Sequence, residues 1–249
     1  MTLYGLIGYP IDHSWSAVYF AEKFRLEGIT DQEYRLFPLQ NLNQFSSLLE
    51  KNPDLLGLNV TIPHKVNILP LLDELDNTAK TVGAVNTIKI IRSHERIRTK
   101  GFNTDTSGFL LSLPENLPDS KVLLLGTGGA SKAVAYVLHQ KKMEVIWVSR
   151  NPNDEKTIRY SDVTAEMVYQ CRVIINATPV GMYPHTMEIP PIPYTSITPQ
   201  HLLYDLIYNP EETRFLAEGR KRGARIMNGK QMLMHQAESA YRIFIDPEN

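Results

Sequence analysis

The chain has 249 residues, with 26 Lys+Arg against 27 Asp+Glu and a formal net charge of −1. Hydrophobic residues make up 43% and charged residues 21%, which excludes collagen-like, disordered and low-complexity chains. The charge balance gives no electrostatic footprint for nucleic acid or an anionic membrane surface. A single cysteine, Cys171, excludes an intrachain disulfide and points to a reducing compartment. Met1–Gly8 lacks the basic stretch and apolar length of a signal peptide. No segment approaches the ~20 apolar residues of a membrane helix. A cytoplasmic location is therefore expected, and the sequence leaves monomer and homodimer open. The histidines show no metal-ligand spacing, so no metal is expected.

Strand and helix patterns alternate along the chain. Leu3–Gly8 is a short apolar run ending in glycine, as in a buried strand. Trp15, Val18, Tyr19 and Phe24 then recur at helical spacing through Leu26, with Ser14 where an N-cap belongs. Tyr34–Phe37 reads as a strand stopped by Pro38, and Leu42, Phe45, Leu48 and Leu49 mark one helical face. Leu55–Val60 reads as a strand, Leu69–Lys80 as a helix and Asn86–Arg92 as a strand. Arg96–Phe102 is its hairpin partner across a turn at Ser93-His94-Glu95. In the second half, strands are expected at Lys121–Leu125, Glu144–Ser149, Val173–Ala177, Leu202–Asp205 and Ala224–Met227. Helices are expected at Ser131–Lys142, at Glu211–Arg222 up to the stop at Gly223, and at Gln231–Ile245. The alternation implies α/β architecture. Two prolines without periodicity in Leu113–Ser120, before a fresh βαβ unit, favour two sheets over one. The boundary falls in a linking helix near Thr104–Leu113.

Between the Lys121–Leu125 strand and the following helix stands Gly126-Thr127-Gly128-Gly129-Ala130. Glycines there allow a tight turn and close approach of a pyrophosphate, with helix N-terminal amides aimed at it. A glycine-rich turn serving packing alone is the other reading. The next strand ends at Ser149-Arg150-Asn151, where a unit selecting NAD would carry an acid for the ribose hydroxyl. Arg150 suits a 2′-phosphate and favours NADP, unless it is simply a solvated arginine.

The first half offers several polar clusters. Ser14 and Ser16 bracket Trp15 at a helix start, where two hydroxyls can hold a carboxylate. On spacing alone Ser14 reads equally well as the N-cap. In Asn59-Val60-Thr61-Ile62-Pro63-His64-Lys65, alternation puts Asn59 and Thr61 on one side, and Lys65 follows a proline-fixed turn. A surface lysine is the ordinary reading of Lys65 by itself. Gly83-Ala84-Val85-Asn86-Thr87 and Gly101-Phe102-Asn103-Thr104-Asp105 add amides, hydroxyls and one carboxylate. Together these groups suit a polyhydroxylated acid.

Taken in order, these segments resemble the shikimate dehydrogenase family, as do Asn176-Ala177-Thr178-Pro179-Val180-Gly181-Met182 and Gly229-Lys230-Gln231-Met232-Leu233-Met234-His235-Gln236. The resemblance implies a two-domain α/β enzyme. Residues 1–103 would bind substrate, with 229–249 packing back on them, and 104–228 would form a Rossmann-type NADP(H) domain. It implies reversible NADPH-dependent reduction of 3-dehydroshikimate to shikimate. By position, Ser14, Ser16, Asn59, Thr61, Lys65, Asn86, Asp105, Tyr208 and Gln236 would bind substrate, with Lys65 and Asp105 catalytic. Gly126, Thr127, Gly128, Gly129, Ala130, Arg150, Thr178, Ile207 and Gly229 would bind the cofactor. Two features depart from the common pattern. The loop after Arg150 reads Asn151-Pro152, and Ala17 stands where many members have proline. A quinate/shikimate dehydrogenase using NAD, or a nucleotide-binding regulator without turnover, would share the fold. Arg150 speaks against the first, and the joint presence of Lys65 and Asp105 against the second.

Overall fold

The computed structural model describes residues 1–249 except His13, Glu95, Asn153, Glu248 and Asn249. The chain divides into two compact units, Met1–Thr104 with Ala237–Asn249, and Asp105–Gln236.

The first unit runs β1 (Thr2–Gly8), α1 (Trp15–Leu26), β2 (Gln32–Pro38), α2 (Phe45–Lys51), β3 (Leu55–Val60), β4 (Glu74–Leu75), α3 (Asn77–Val82), β5 (Thr87–Arg92) and β6 (Ile97–Phe102). Its sheet has the order β2-β1-β3-β5-β6-β4. β1 lies parallel to β2 and β3, and β5 turns antiparallel to both neighbours. Six of the seven residues of β1 are buried, as befits a central strand covered on both faces. One face packs Ile7, Leu58 and Ile88 with Phe45 and Leu49 of α2. The other packs Tyr4 with Phe20 and Phe24 of α1 and with Tyr241 and Phe244, which arrive from the far end of the chain. Tyr4 and Phe244 stack at 5.0 Å.

The expected Leu69–Lys80 helix is overturned. A 3-10 turn at Leu69–Leu71 and strand β4 come first, and α3 starts only at Asn77. The apolar spacing was helical, but two aspartates redirect the backbone. The Asp76 carboxylate accepts the Ala79 and Thr78 amides at 2.7 and 3.3 Å, which starts a new helix. The Asp73 carboxylate takes the Thr99 amide at 2.7 Å and draws the segment beside β6. Of the turn expected at Ser93-His94-Glu95, Glu95 lies outside the described residues; Ser93 and Arg96 close it.

The second unit runs α4 (Asp105–Ser112), β7 (Val122–Leu125), α5 (Gly129–Gln140), β8 (Val145–Ser149), β9 (Thr157–Arg159), α6 (Ala165–Gln170), β10 (Val173–Asn176), β11 (Leu202–Asp205), α7 (Arg214–Lys221) and β12 (Arg225–Met227). α8 (Lys230–Ile245) starts in this unit and finishes in the first. The six strands are all parallel, in the order β12-β11-β10-β7-β8-β9. Counted within the unit, this is the doubly wound order 3-2-1-4-5-6, whose direction reverses between β7 and β10. Val134 and Leu138 of α5 cover one face, and Val168, Phe215 and Leu216 of α6 and α7 the other. β9 and α6 are too short to show a period in sequence. α7 begins three residues later than Glu211 because the Thr213 side chain caps it. Among the described residues no helix is long and apolar enough to cross a membrane. Burial pushes the Cys171 thiol up to about 11, as for an inert core cysteine.

Candidate functional site

In the first unit, the polar residues gather where β1, β3 and β6 end and β5 begins. Ser14 caps α1, accepting the Ser16 amide at 3.3 Å on Oγ, which leaves its O–H to donate elsewhere. His13, beside it, lies outside the described residues. Asn59, near the end of β3, sits opposite Thr87 in register. Its amide reaches the Asn86 carbonyl and Thr87 Oγ1, each at 3.4 Å. Thr61 continues β3, its amide bonded to the Ile7 carbonyl at 2.9 Å. The following turn is closed by His64, whose amide reaches the Thr61 carbonyl and whose ring bonds the Leu39 carbonyl at 2.6 Å. Lys65 leaves this turn half-buried, its carbonyl accepting the Val85 amide at 2.7 Å. Asn86 Oδ1 accepts the Thr104 amide at 2.6 Å and the Thr87 hydroxyl at 3.2 Å. Asn86 thus ties the start of β5 to the end of β6.

The structure places Asp105, Tyr208 and Gln236 in the second unit. Asp105 is buried and opens α4, where the helix dipole favours a carboxylate. One turn later Gly108 packs against the α8 backbone at Met232 and Gln236. Tyr208 is half-buried in the loop after β11.

At the switch point, the end of β7 meets the end of β10. Gly126 has φ +107°, and a side chain there would press on Thr178 Cγ2 at 2.9 Å. Thr127 and Gly128 follow on the surface, and Gly129 and Ala130 open α5. Gly128 is different from Gly126: its φ is −76°, and an added Cβ would meet nothing within 4 Å. Protein packing does not require this glycine, and its bare backbone leaves room for an anion such as a pyrophosphate to approach closely. No side chain caps α5, so its first amides are open to such an anion. Gly128→Ala should therefore leave the melting temperature unchanged or raised. It should weaken dinucleotide binding about tenfold, roughly 1.4 kcal/mol. Titration of the folded variant checks this; wild-type affinity counts against the pyrophosphate assignment.

Thr178 and Ile207 share an organiser that sequence reading missed. Thr178 Oγ1 donates to Asn176 Oδ1 at 2.6 Å, and Asn176 Nδ2 donates to Asp205 Oδ1 at 3.0 Å. Asp205 also accepts the Ile207 amide at 3.0 Å and the Thr213 hydroxyl at 2.6 Å. Gly229 in turn donates to the Ile207 carbonyl at 3.0 Å. Burial of Asp205 outweighs these three donors and lifts its carboxyl to about 6. A carboxyl with a raised folded pKa favours folding most below its unfolded pKa, and loses that contribution as pH rises through the folded one. From about pH 4 to about pH 7, Asp205→Asn should gain on the wild type by up to about 3 kcal/mol in unfolding free energy. Denaturation at the two pH values checks this; a constant difference would overturn it.

Arg150 is exposed just past β8. In register, Ser149 pairs with Arg159 of β9, so a second arginine flanks the same strand end. Arg159 carried no sequence signal because β9 was not foreseen. Among the described residues no group of three His, Cys, Asp or Glu could hold a metal ion.

A profile of the shikimate dehydrogenase substrate binding domain matches residues 6–88. A shikimate dehydrogenase (NADP(+)) of Methanococcus maripaludis is 38% identical, covering 97% of this chain and 90% of its own. The structure of shikimate 5-dehydrogenase from Thermus thermophilus, in complex with NADP(H) and shikimate, superposes with a TM-score of 0.84 at 30% identity. It covers 100% of this chain and 96% of its own. Quinate dehydrogenase from Corynebacterium glutamicum, in complex with NAD, gives 0.83 at 28% identity, covering 98% and 93%. The match extends through both units, the polar end of the first sheet and the glycine loop of the second, and the chain belongs to the shikimate dehydrogenase family.

Proposed function

We propose that the chain catalyses the reversible NADPH-dependent reduction of 3-dehydroshikimate to shikimate. The observation that carries this is the collection of Ser14, Ser16, Asn59, Thr61, Lys65 and Asn86 at one end of the first sheet. That set can seat one carboxylate and several hydroxyls around a single lysine. Ser14 and Ser16 hold the carboxylate through their O–H groups. Asn59, Thr61, Asn86, Asp105, Tyr208 and Gln236 take the ring hydroxyls.

NADP, when bound, supplies or accepts the hydride. Gly126–Ala130 hold its pyrophosphate, Arg150 its 2′-phosphate, and Thr178, Ile207 and Gly229 shape the seat of its nicotinamide half. Lys65 acts on the oxygen of the reacting carbon. As an ammonium it stabilises the growing negative charge and donates the proton; as a neutral amine it takes the proton back in the reverse direction. Asp105 orients the reacting hydroxyl.

Steady-state rates with shikimate and quinate, each paired with NADP and NAD, test this reading. Shikimate with NADP should be the fastest pair. Faster turnover of quinate with NAD would move the chain to the quinate enzymes, and four blanks would overturn the enzymatic reading.

A further inference from the structure

Asn176 and Asp205 end the neighbouring strands β10 and β11 and sit directly opposite each other in register. Both are fully buried. Beyond them the chain leaves the sheet as two separate loops, one carrying Thr178 and the other Ile207. Asp205 accepts from the Asn176 amide, the Ile207 amide and the Thr213 hydroxyl, and all three donors are neutral. A buried carboxylate held by neutral donors alone costs stability, so holding the sheet together does not explain it. The Leu206 amide already donates to the Asn176 carbonyl at 2.9 Å, which ties the two strand ends through the backbone.

An ionised acid differs from an amide at this place in accepting on both oxygens. It therefore decides which way the Asn176 amide faces. Nδ2 donates to Asp205 Oδ1 and to the Val180 carbonyl, at 3.0 and 3.2 Å. Oδ1 is left facing Thr178, whose amide and hydroxyl both donate to it, at 3.1 and 2.6 Å. The Thr178 hydroxyl in turn accepts the Val180 amide at 3.2 Å. Both protons and both lone pairs of the Asn176 side chain are used, in one orientation only. Thr178 is thereby held with its hydroxyl proton turned into the protein and its methyl group against Gly126 of the glycine loop. The oxygen that orients Asn176 is also the one that takes the Ile207 amide.

We propose that Asn176 and Asp205 are positioning residues that lock Thr178 and Ile207, on two separate loops, into one fixed spacing and so seat the nicotinamide half of the dinucleotide. The inference rests on the cofactor roles given above to Thr178 and Ile207. Its test compares NADP with adenosine 2′,5′-bisphosphate, which keeps the 2′-phosphate and lacks the nicotinamide half. Both are titrated into the full chain without substrate, so the readout is binding and not turnover.

Asn176→Leu roughly keeps the volume and removes both faces of the amide. Its affinity for NADP should fall about tenfold, the scale of one hydrogen bond to a charged group, with affinity for the bisphosphate within about twofold. Asp205→Asn keeps an acceptor for Asn176 but loses the charge that strengthens the bond, so the same split should appear at about threefold. This second variant carries the test if the first folds poorly. Thr213→Val is the control. It removes the third donor to Asp205 and the cap of α7, at a place just as deeply buried. It should lower the melting temperature and leave both affinities within about twofold. Equal losses for the two ligands, or a split in Thr213→Val as large as in the other variants, would overturn the positioning role. The wild-type chain is titrated first. Binding of neither ligand would count against the cofactor reading itself, whereas binding of both with no split in the variants would remove only the role of the pair.

Discussion

Lys65→Ala should lower kcat by about 100- to 10,000-fold, the range for removing a positioned acid–base group. KM for shikimate should move far less, because the carboxylate and ring hydroxyls keep their own partners. The variant should also fold normally. Lys65 holds its turn through its backbone carbonyl, bonded to the Val85 amide, and truncating the side chain leaves that bond in place. His64, pinned to the Leu39 carbonyl, keeps the preceding turn closed. Steady-state kinetics alongside a melting curve separates the outcomes. A folded variant with near-normal kcat removes Lys65 from the chemistry.

Gly229→Ala is expected to be the most damaging small substitution in the second unit. An added methyl would stand 2.0 Å from the Leu206 carbonyl oxygen and 2.5 Å from its carbon. Both are backbone atoms, so no side-chain rotation can relieve the clash. Either the start of α8 or the strand end after β11 has to move. Unfolding free energy should fall by about 3 kcal/mol or more, at the upper end of what overpacking costs. The displaced segment includes Ile207, whose carbonyl takes the Gly229 amide, so KM for NADP should rise in whatever fraction still folds. An unchanged melting temperature would show that the loop yields more easily than its packing implies. Gly128→Ala serves as the contrast, since its methyl enters open space.

The parts of the fold legible in sequence were those with a long, uniform signal. Val122–Leu125, the glycine loop and α5 read directly, because a fully buried strand, a turn and a 12-residue helix each show their own pattern. The segment after Leu69 misled because Leu69, Leu72, Leu75 and Ala79 are spaced as on a helix. What decided it was the Asp73 carboxylate bonding Thr99, a partner 26 residues away. The candidate site divides in the same way. Ser14, Lys65 and Gly126 stand in motifs readable along the chain. Tyr34 and Asp205 do not, because their partners are brought to them by strand register. Tyr34 reads as one more strand aromatic until its hydroxyl is found donating to Asn59 Oδ1 at 2.8 Å. Asp205 reads as the polar end of a buried strand until β10 brings Asn176 alongside. Arg159 was missed for a simpler reason, the brevity of β9.

The assignment of the residues from Ala237 onward to the first unit has a consequence for synthesis on the ribosome. The second unit is one uninterrupted stretch, so all of it has been made while the first still lacks Tyr241 and Phe244. Until those rings emerge, Tyr4, Phe20 and Phe24 wait on an uncovered sheet face. The contact between Tyr4 and Phe244, closed at 5.0 Å across almost the whole chain, is among the last that can form. Emerging from the ribosome, the first unit thus keeps an apolar sheet face open while the second is being made, the kind of exposure that favours aggregation.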